Sequence, residues 1–254
     1  MSSSNNFELD CLKASDLLKS AHYVVVFTGA GISTPSGIPD FWSAGTGLWS
    51  RFDPMEVASL TAFHQHPTRF YNWFRPLMHT AYFATPNAAH IALAELETRQ
   101  LIQSIITQNI DGLHQKAGSK KVIEIHGSMK TFTCPNCHHS YPGNIIADII
   151  FNKHIPRCTC CNSIIKPDVI LYEEELVEDT WLKAKQEIQT ADLVWVIGSS
   201  LEVFPANLLP SEAASRGAKL LINTYSSTLM DEQADMLLPY AVDLTVPKLA
   251  GLMK

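Results

Sequence analysis

Five of the six cysteines fall between Cys134 and Cys161. Cys134-Pro135-Asn136-Cys137 is one C-x-x-C pair, and Cys158 and Cys161 form a second, with twenty residues between the pairs. Two such knuckles each present two thiolates to one side of an ion, the spacing of a tetrahedral structural zinc site. Four thiolates leave no position for water, so the expected ion holds shape rather than doing chemistry. The competing readings are a redox C-x-x-C and unpaired buried cysteines. Cys160 is a spare thiol, and spacing favours Cys161 over it. His138, His139 and His154 lie nearby and are expected at the surface, since four cysteines fill the shell.

A second chemistry-bearing pattern follows the first apolar run, Tyr23 to Phe27, which leads into Thr28-Gly29-Ala30-Gly31-Ile32-Ser33. A Gly-x-Gly turn after a strand lets backbone amides approach a pyrophosphate. The third glycine of the usual fingerprint is replaced by Thr34, so alone the pattern also fits a plain strand-to-helix turn.

These groups need elements to position them. Tyr23 to Phe27 lacks alternation, which suits a strand buried on both faces. Similar runs recur at Leu101 to Thr107, Val122 to Ile125, Val169 to Tyr172, Leu193 to Ile197 and Leu220 to Asn223. Helical patterns cover Glu8 to Ser20, with Leu9, Leu12, Leu17 and Leu18 as apolar positions, and Asn87 to Arg99, with Ile91, Leu93, Leu96 and the alanines as the packing face. Further helical patterns cover Thr180 to Thr190 and Pro205 to Ser215. Buried strands alternating with helices predict an α/β fold with a parallel sheet covered on both faces. Residues 45–86, rich in aromatics, and residues 128–166, holding the cysteines, interrupt the alternation and are expected to form a small second lobe.

The continuation of the glycine turn is far more specific. Gly29-Ala30-Gly31-Ile32-Ser33-Thr34-Pro35-Ser36-Gly37-Ile38-Pro39-Asp40-Phe41, then Gly47-Leu48-Trp49, closely resembles the sirtuins, the NAD-dependent protein-lysine deacylases, and in particular their small bacterial and archaeal members. Three further stretches resemble the same family in the same order. They are Thr107 to His114 (Thr-Gln-Asn-Ile-Asp-Gly-Leu-His), Glu124-Ile125-His126-Gly127, and Gly198-Ser199-Ser200-Leu201 through Ala206.

The resemblance implies a Rossmann-type NAD-binding domain formed by residues 1–44, 87–127 and 167–254. It also implies a small domain made of a helical module (45–86) and a zinc-ribbon module (128–166). The implied reaction consumes NAD: the acyl oxygen of a modified lysine attacks the nicotinamide ribose, nicotinamide leaves, and a histidine base activates a ribose hydroxyl. The products are free lysine and O-acyl-ADP-ribose, a transferase reaction. His126 matches the base, a task suited to an imidazole that titrates near neutral pH; His114 is expected to be structural. Asn109 and Asp111 match the nicotinamide pocket, with Ile38 and Ile110 as its apolar walls and Gln108 as a ribose contact. Gly29, Ala30, Gly31, Thr34, Asp40 and Phe41 match the cofactor loop. Gly198, Ser199, Ser200 and Asn223 match phosphate and adenosine-ribose contacts, with Asp243 near the adenine. Val169 to Glu174, including Leu171, and Glu202 to Phe204, including Val203, match two strands between which substrate peptides add a third.

The chain departs from the family pattern at Trp42, where relatives carry an arginine that helps hold the NAD phosphates. An indole cannot supply that planar cation. Weak NAD binding, compensation by Arg51 or another cation, or a low-activity NAD- or peptide-binding module would each follow; protein ADP-ribosyl transfer is an alternative activity. Glu173 stands where many relatives have glycine. Tyr71 and Arg75 are poorly spaced for the Tyr-x-x-Arg motif of relatives that prefer acidic acyl groups, so neutral acyl groups are expected, acetyl first. The aromatic stretch is expected to be core packing rather than an acyl tunnel.

Composition narrows the remaining classes. At 46% hydrophobic and 17% charged residues, the 254-residue chain is ordinary globular protein. A net charge of −6 and no basic stripe argue against nucleic-acid binding. No apolar run approaches the roughly 18 residues of a membrane helix, and Met1 to Asn6 lacks the basic and apolar parts of a signal peptide. The expectation is a soluble cytoplasmic enzyme, a monomer, with acyl-lysine proteins as substrates.

Overall fold

The computed structural model describes residues 2–41, 45 and 47–254. Helix α1 (Ser2–Ser20) leads to strand β1 (Val24–Thr28). Next come α2 (Pro54–Val57), α3 (Leu60–Gln65), α4 (Pro67–Phe83), α5 (Ala88–Thr98), β2 (Ser104–Thr107), α6 (Leu113–Ala117) and β3 (Val122–Glu124). The cysteine-bearing region contributes β4 (Gly127–Thr133), β5 (Ser140–Pro142), α7 (Gly143–Phe151) and β6 (Lys166–Val169). The chain finishes with α8 (Glu178–Thr190), β7 (Leu193–Ile197), α9 (Leu208–Ser215), β8 (Lys219–Asn223), β9 (Met236–Leu238) and α10 (Val242–Leu252).

Six strands form one sheet in the order β3-β2-β1-β7-β8-β9, parallel at every pairing. Successive side chains of β1 go to opposite faces. Val24 and Val26 pack with Leu18 of α1, Leu93 of α5 and Leu249 of α10. Val25 and Phe27 pack with Ile188 of α8 and Leu209 of α9. Both faces are therefore apolar, which is why this strand shows no alternation.

A three-stranded sheet, β5-β4-β6, is antiparallel throughout. One apolar cluster joins it to the helices before it: Phe70, Tyr71 and Phe74 of α4 meet Phe132, Ile146, Ile165 and the buried thiols of Cys134 and Cys158. Gly127 sits where β4 crosses β6. Its φ is +75°, and a Cβ there would lie 2.1 Å from the Asp168 carbonyl oxygen, so no larger residue fits.

Several expectations are corrected. Val169 to Tyr172 is not a strand of the parallel sheet: the strand is Lys166–Val169, it pairs with β4, and residues 170–172 leave it to bond elsewhere. On α1 the buried face is Cys11, Ala14, Ser15 and Leu18, at helical spacing. Leu9 and Leu12 lie off that face and are about half exposed (51% and 48%). Ile91 of α5 points to solvent as well. Strand β9 and helix α10 complete the fold without having been anticipated.

Candidate active site

The sheet order reverses between β1 and β7, since β2 lies beyond one and β8 beyond the other. Open α/β sheets bind ligands at the carboxyl ends of strands at such a point. Here the two strand exits meet main chain to main chain. Gly31 N donates to Gly198 O at 2.8 Å, and Gly29 N donates to Ile197 O at 3.1 Å. A Cβ on Gly29 or Gly31 would come within 2.8 Å of Gly198, and one on Gly198, at φ +61°, within 2.3 Å of Ile32 N. The glycines are thus required by backbone contact, and their N–H groups are committed inside the protein rather than turned to a phosphate.

A cavity of about 580 Å³ opens over this junction. Of the residues singled out in the sequence, Gly29, Ala30, Gly31, Thr34, Ile38, Asp40 and Phe41 line it from the first turn, and Gln108, Asn109, Ile110 and Asp111 from the end of β2. His126, Gly198, Ser199, Ser200 and Asp243 complete that set. Asn223 does not belong to it. It is fully buried, and its Nδ2 donates to Leu238 O (2.8 Å) and Tyr240 O (3.0 Å), holding the end of β9. The wall beyond β8 is supplied instead by Thr224, Tyr225, Ser226 and Ser227.

Ser33, absent from the sequence-based set, organises the centre. Its hydroxyl donates to Asp111 Oδ2 at 2.7 Å and accepts from Asn109 Nδ2 at 3.1 Å. Asn109 Nδ2 also donates to Gly29 O at 3.1 Å, and Leu113 N donates to Asp111 Oδ1 at 2.8 Å. Burial raises the Asp111 pKa, and the Leu113 and Ser33 donors pull it back. Gln108 Nε2 donates to Ser199 Oγ at 2.8 Å, a second bridge across the switch point. Beneath this layer Thr28 Oγ1 donates to Thr107 Oγ1 (2.8 Å) and contacts His114 Nε2 (3.0 Å). His114 is buried beneath the site and is not among the residues that line it.

His126 lies in the turn between β3 and β4, just before the glycine crossing. Its Nδ1 lies 3.1 Å from Gln108 O. A carbonyl only accepts, so Nδ1 carries the proton and Nε2 is the basic nitrogen. Burial lowers the His126 pKa, and the bond to Gln108 offsets part of this. The imidazole is therefore neutral at neutral pH.

Val169, Leu171 and Glu174 line one rim, and Val203 and Phe204 the opposite one. Neither rim is a strand at these positions, apart from Val169 at the end of β6. The Glu174 carboxylate is engaged within the rim: Oε2 accepts from Leu171 N at 2.8 Å and pairs with Lys166 Nζ at 2.8 Å. The aromatic helix α4 does more than fill the core. Trp73, Phe74, Leu77 and Met78 form an apolar wall of the same cavity. Tyr71 and Arg75 do not reach it. The Tyr71 hydroxyl donates to Ile165 O, and Arg75 Nε donates to Ile150 O at 2.6 Å.

The sulfurs of Cys134, Cys137, Cys158 and Cys161 lie within 4.8 Å of one another. The Cys134–Cys161 and Cys137–Cys158 separations are both 3.4 Å, near the roughly 3.8 Å edge of a tetrahedron of Zn–S bonds. The two knuckles are alike in backbone as well: His138 (φ +59°) and Asn162 (φ +60°) follow their second cysteines in the left-handed region. Cys160, exposed, stands outside the group. The donor set fits one zinc ion, held by four thiolates.

Trp42 lies outside the described residues. Arg51 does not line the cavity, and no lysine or arginine is among its described lining residues. No described helix is long and apolar enough to cross a membrane.

A model of the Sir2 family matches residues 29–205. The chain is 42% identical over 246 residues to the NAD-dependent protein deacetylase of Sulfurisphaera tokodaii, covering 97% of each. It is 44% identical over 238 residues to that of Saccharolobus solfataricus, covering 93% of this chain and 94% of the other. A solved Sir2 complex with a deacetylated p53 peptide and 3′-O-acetyl ADP-ribose superposes with a TM-score of 0.89 at 37% identity, over 94% of this chain and 96% of that one. With the family match spanning the cofactor turn, the histidine and the cysteine knuckles, the chain belongs to the Sir2 family.

Proposed function

We propose that the chain is an NAD-dependent protein-lysine deacylase, releasing nicotinamide, free lysine and O-acyl-ADP-ribose. Its relatives carry that activity in their names, and the solved complex holds a peptide together with an acetylated ADP-ribose. The observation that carries the reading for this chain is His126, a cavity-lining imidazole with Nδ1 committed to Gln108 O and Nε2 left as base.

Bound NAD supplies an electrophilic ribose carbon and the nicotinamide leaving group. His126 takes a ribose hydroxyl proton at Nε2. Asp111 accepts from the carboxamide, held in place by Ser33 and Leu113. Asn109, tied by its amide nitrogen to Gly29 and Ser33, keeps its carbonyl oxygen for a hydroxyl or a water. Ile38 and Ile110 wall the pocket, and Phe41 closes it. Ser199, Ser200, Thr224 and Asp243 hold the adenosine half. The α4 wall is apolar, so neutral acyl groups fit, with room beyond acetyl. The peptide lies between the two rims as an added strand. Residues 45–86 and 128–166 act as the small domain against the NAD-binding remainder, zinc giving the second of these its shape.

Mass spectrometry of zinc-loaded protein with acetyl-lysine peptide and saturating NAD tests this. Free lysine, nicotinamide and O-acetyl-ADP-ribose are expected. An unchanged peptide overturns the reading. A peptide gaining ADP-ribose favours the transferase alternative. NAD binding without turnover favours a binding module, a reading motivated by Trp42 in place of the family arginine.

A further inference from the structure

Helix α3 is capped from outside itself. The first amides of a helix have no partner within it. Ser59 Oγ accepts from Ala62 N at 2.9 Å, which serves one of them. The two before it are served by the substrate rim: Leu60 N donates to Tyr172 O at 3.0 Å, and Thr61 N donates to Glu173 Oε2 at 2.8 Å. Tyr172 N donates in return to Ala58 O at 3.0 Å.

Residue 172 thus spends both main-chain groups on the helical segment. Leu171 likewise has both main-chain groups held within the rim, its N donating to Glu174 Oε2 at 2.8 Å and its O accepting from Glu174 N at 3.1 Å. Glu173, between these two fixed residues, lines the cavity. Glu173 sits at φ +73°, a left-handed conformation uncommon for a residue with a side chain. Its side-chain oxygen Oε2 serves the α3 N-terminus through the Thr61 amide.

We infer that Glu173 is a positioning residue: by capping α3 it fixes the cavity-lining main chain of the rim, and peptide affinity depends on that side-chain acceptor oxygen. The inference rests on the deacylase reading. Three variants separate its parts. Glu173→Ala keeps the left-handed burden and loses the acceptor. Glu173→Gln keeps an acceptor oxygen. Glu173→Gly loses both the burden and the acceptor.

The readouts are kcat and KM for an acetyl-lysine peptide, KM for NAD, and hydrogen exchange at the Thr61 amide. Glu173→Ala and Glu173→Gly are expected to raise the peptide KM about fivefold, the scale of one ordinary hydrogen bond. In both, Thr61 exchanges faster while kcat and the NAD KM stay within about twofold. Glu173→Gln is expected to match wild type. Wild-type peptide KM in Glu173→Ala overturns the inference. So does a Gln variant as impaired as Ala, or an effect confined to kcat or to NAD. If wild type turns over no acyl peptide, the deacylase reading falls separately, and the clamp then stands or falls on Thr61 exchange alone.

Discussion

The Ser33 hydroxyl donates to the Asp111 carboxylate over 2.7 Å, tying the turn after β1 to the turn after β2. Ser33 is fully buried and serves Asn109 as well. Ser33→Ala should lower kcat/KM by about 10- to 100-fold, since a hydrogen bond to a charged group is worth roughly 1.5–3 kcal/mol. Steady-state kinetics check this, and a loss under twofold would show that Asp111 holds its place without the hydroxyl.

The lowered pKa of His126 sets the acid side of the rate profile. A base whose pKa is depressed stays neutral further into acid, so kcat/KM should hold below pH 6.5 and fall only through a lower midpoint. A pH profile with its acid midpoint above 6.5 contradicts this. His126→Ala should cost on the order of 100- to 10,000-fold.

The zinc ligands and the spare thiol should separate cleanly. Cys161→Ser is expected to lose the metal and melt earlier, because removing a thiolate opens the tetrahedral shell. Cys160→Ser should retain one zinc per chain and the wild-type melting temperature. Elemental analysis with thermal denaturation distinguishes the two, and the opposite pattern would reassign the fourth ligand to Cys160.

Trp42→Arg would restore the cation that the family pattern carries at this position, in a chain whose described cavity lining has none. We expect NAD to bind about tenfold tighter, the value of one charge-assisted contact to phosphate, with affinity that weakens as salt rises. Calorimetric titration at two ionic strengths measures both. Unchanged affinity would mean that position 42 does not face the phosphates.

Two buried imidazoles make stability depend on pH. His90 and His114 pack edge to face with ring centroids 4.9 Å apart, and burial pushes their pKa values down to about 4 and about 3. The unfolded chain takes up these protons first. Their contribution is therefore whole above pH 6.5 and is lost as pH falls toward 4. Between pH 7 and 5 this amounts to about 2 kcal/mol for each ring. Urea unfolding at both pH values should show His90→Phe losing about 2 kcal/mol less than wild type over that interval. An equal loss would show that His90 is not held neutral.

Much of the site could be read in the sequence, and what escaped has physical causes. The choice of Cys161 over Cys160 followed from spacing alone, because a knuckle turn admits only that step. Ser33 escaped because a serine in a glycine-rich turn resembles any other, and only the fold places Asn109 and Asp111 beside it. Asn223 stands at a strand end, and position there does not determine which way an amide turns: its Nδ2 bonds to Leu238 O and Tyr240 O. The run Val169 to Tyr172 has the composition of a buried strand in either sheet, and its partner β4 decides which. The apolar look of Leu9 and Leu12 misled for a similar reason: spacing sets which residues share a face, and the neighbouring helix decides which face is covered.

The contact between Gly31 and Gly198 carries a consequence for how this enzyme can vary. The floor of the cleft is built from peptide groups, so its contour owes nothing to side-chain identity and tolerates no side chain at all. The rim around it is a set of exchangeable letters. A residue can change there without reshaping the floor. Affinity can thus drift at the edge while the geometry of the reaction stays put.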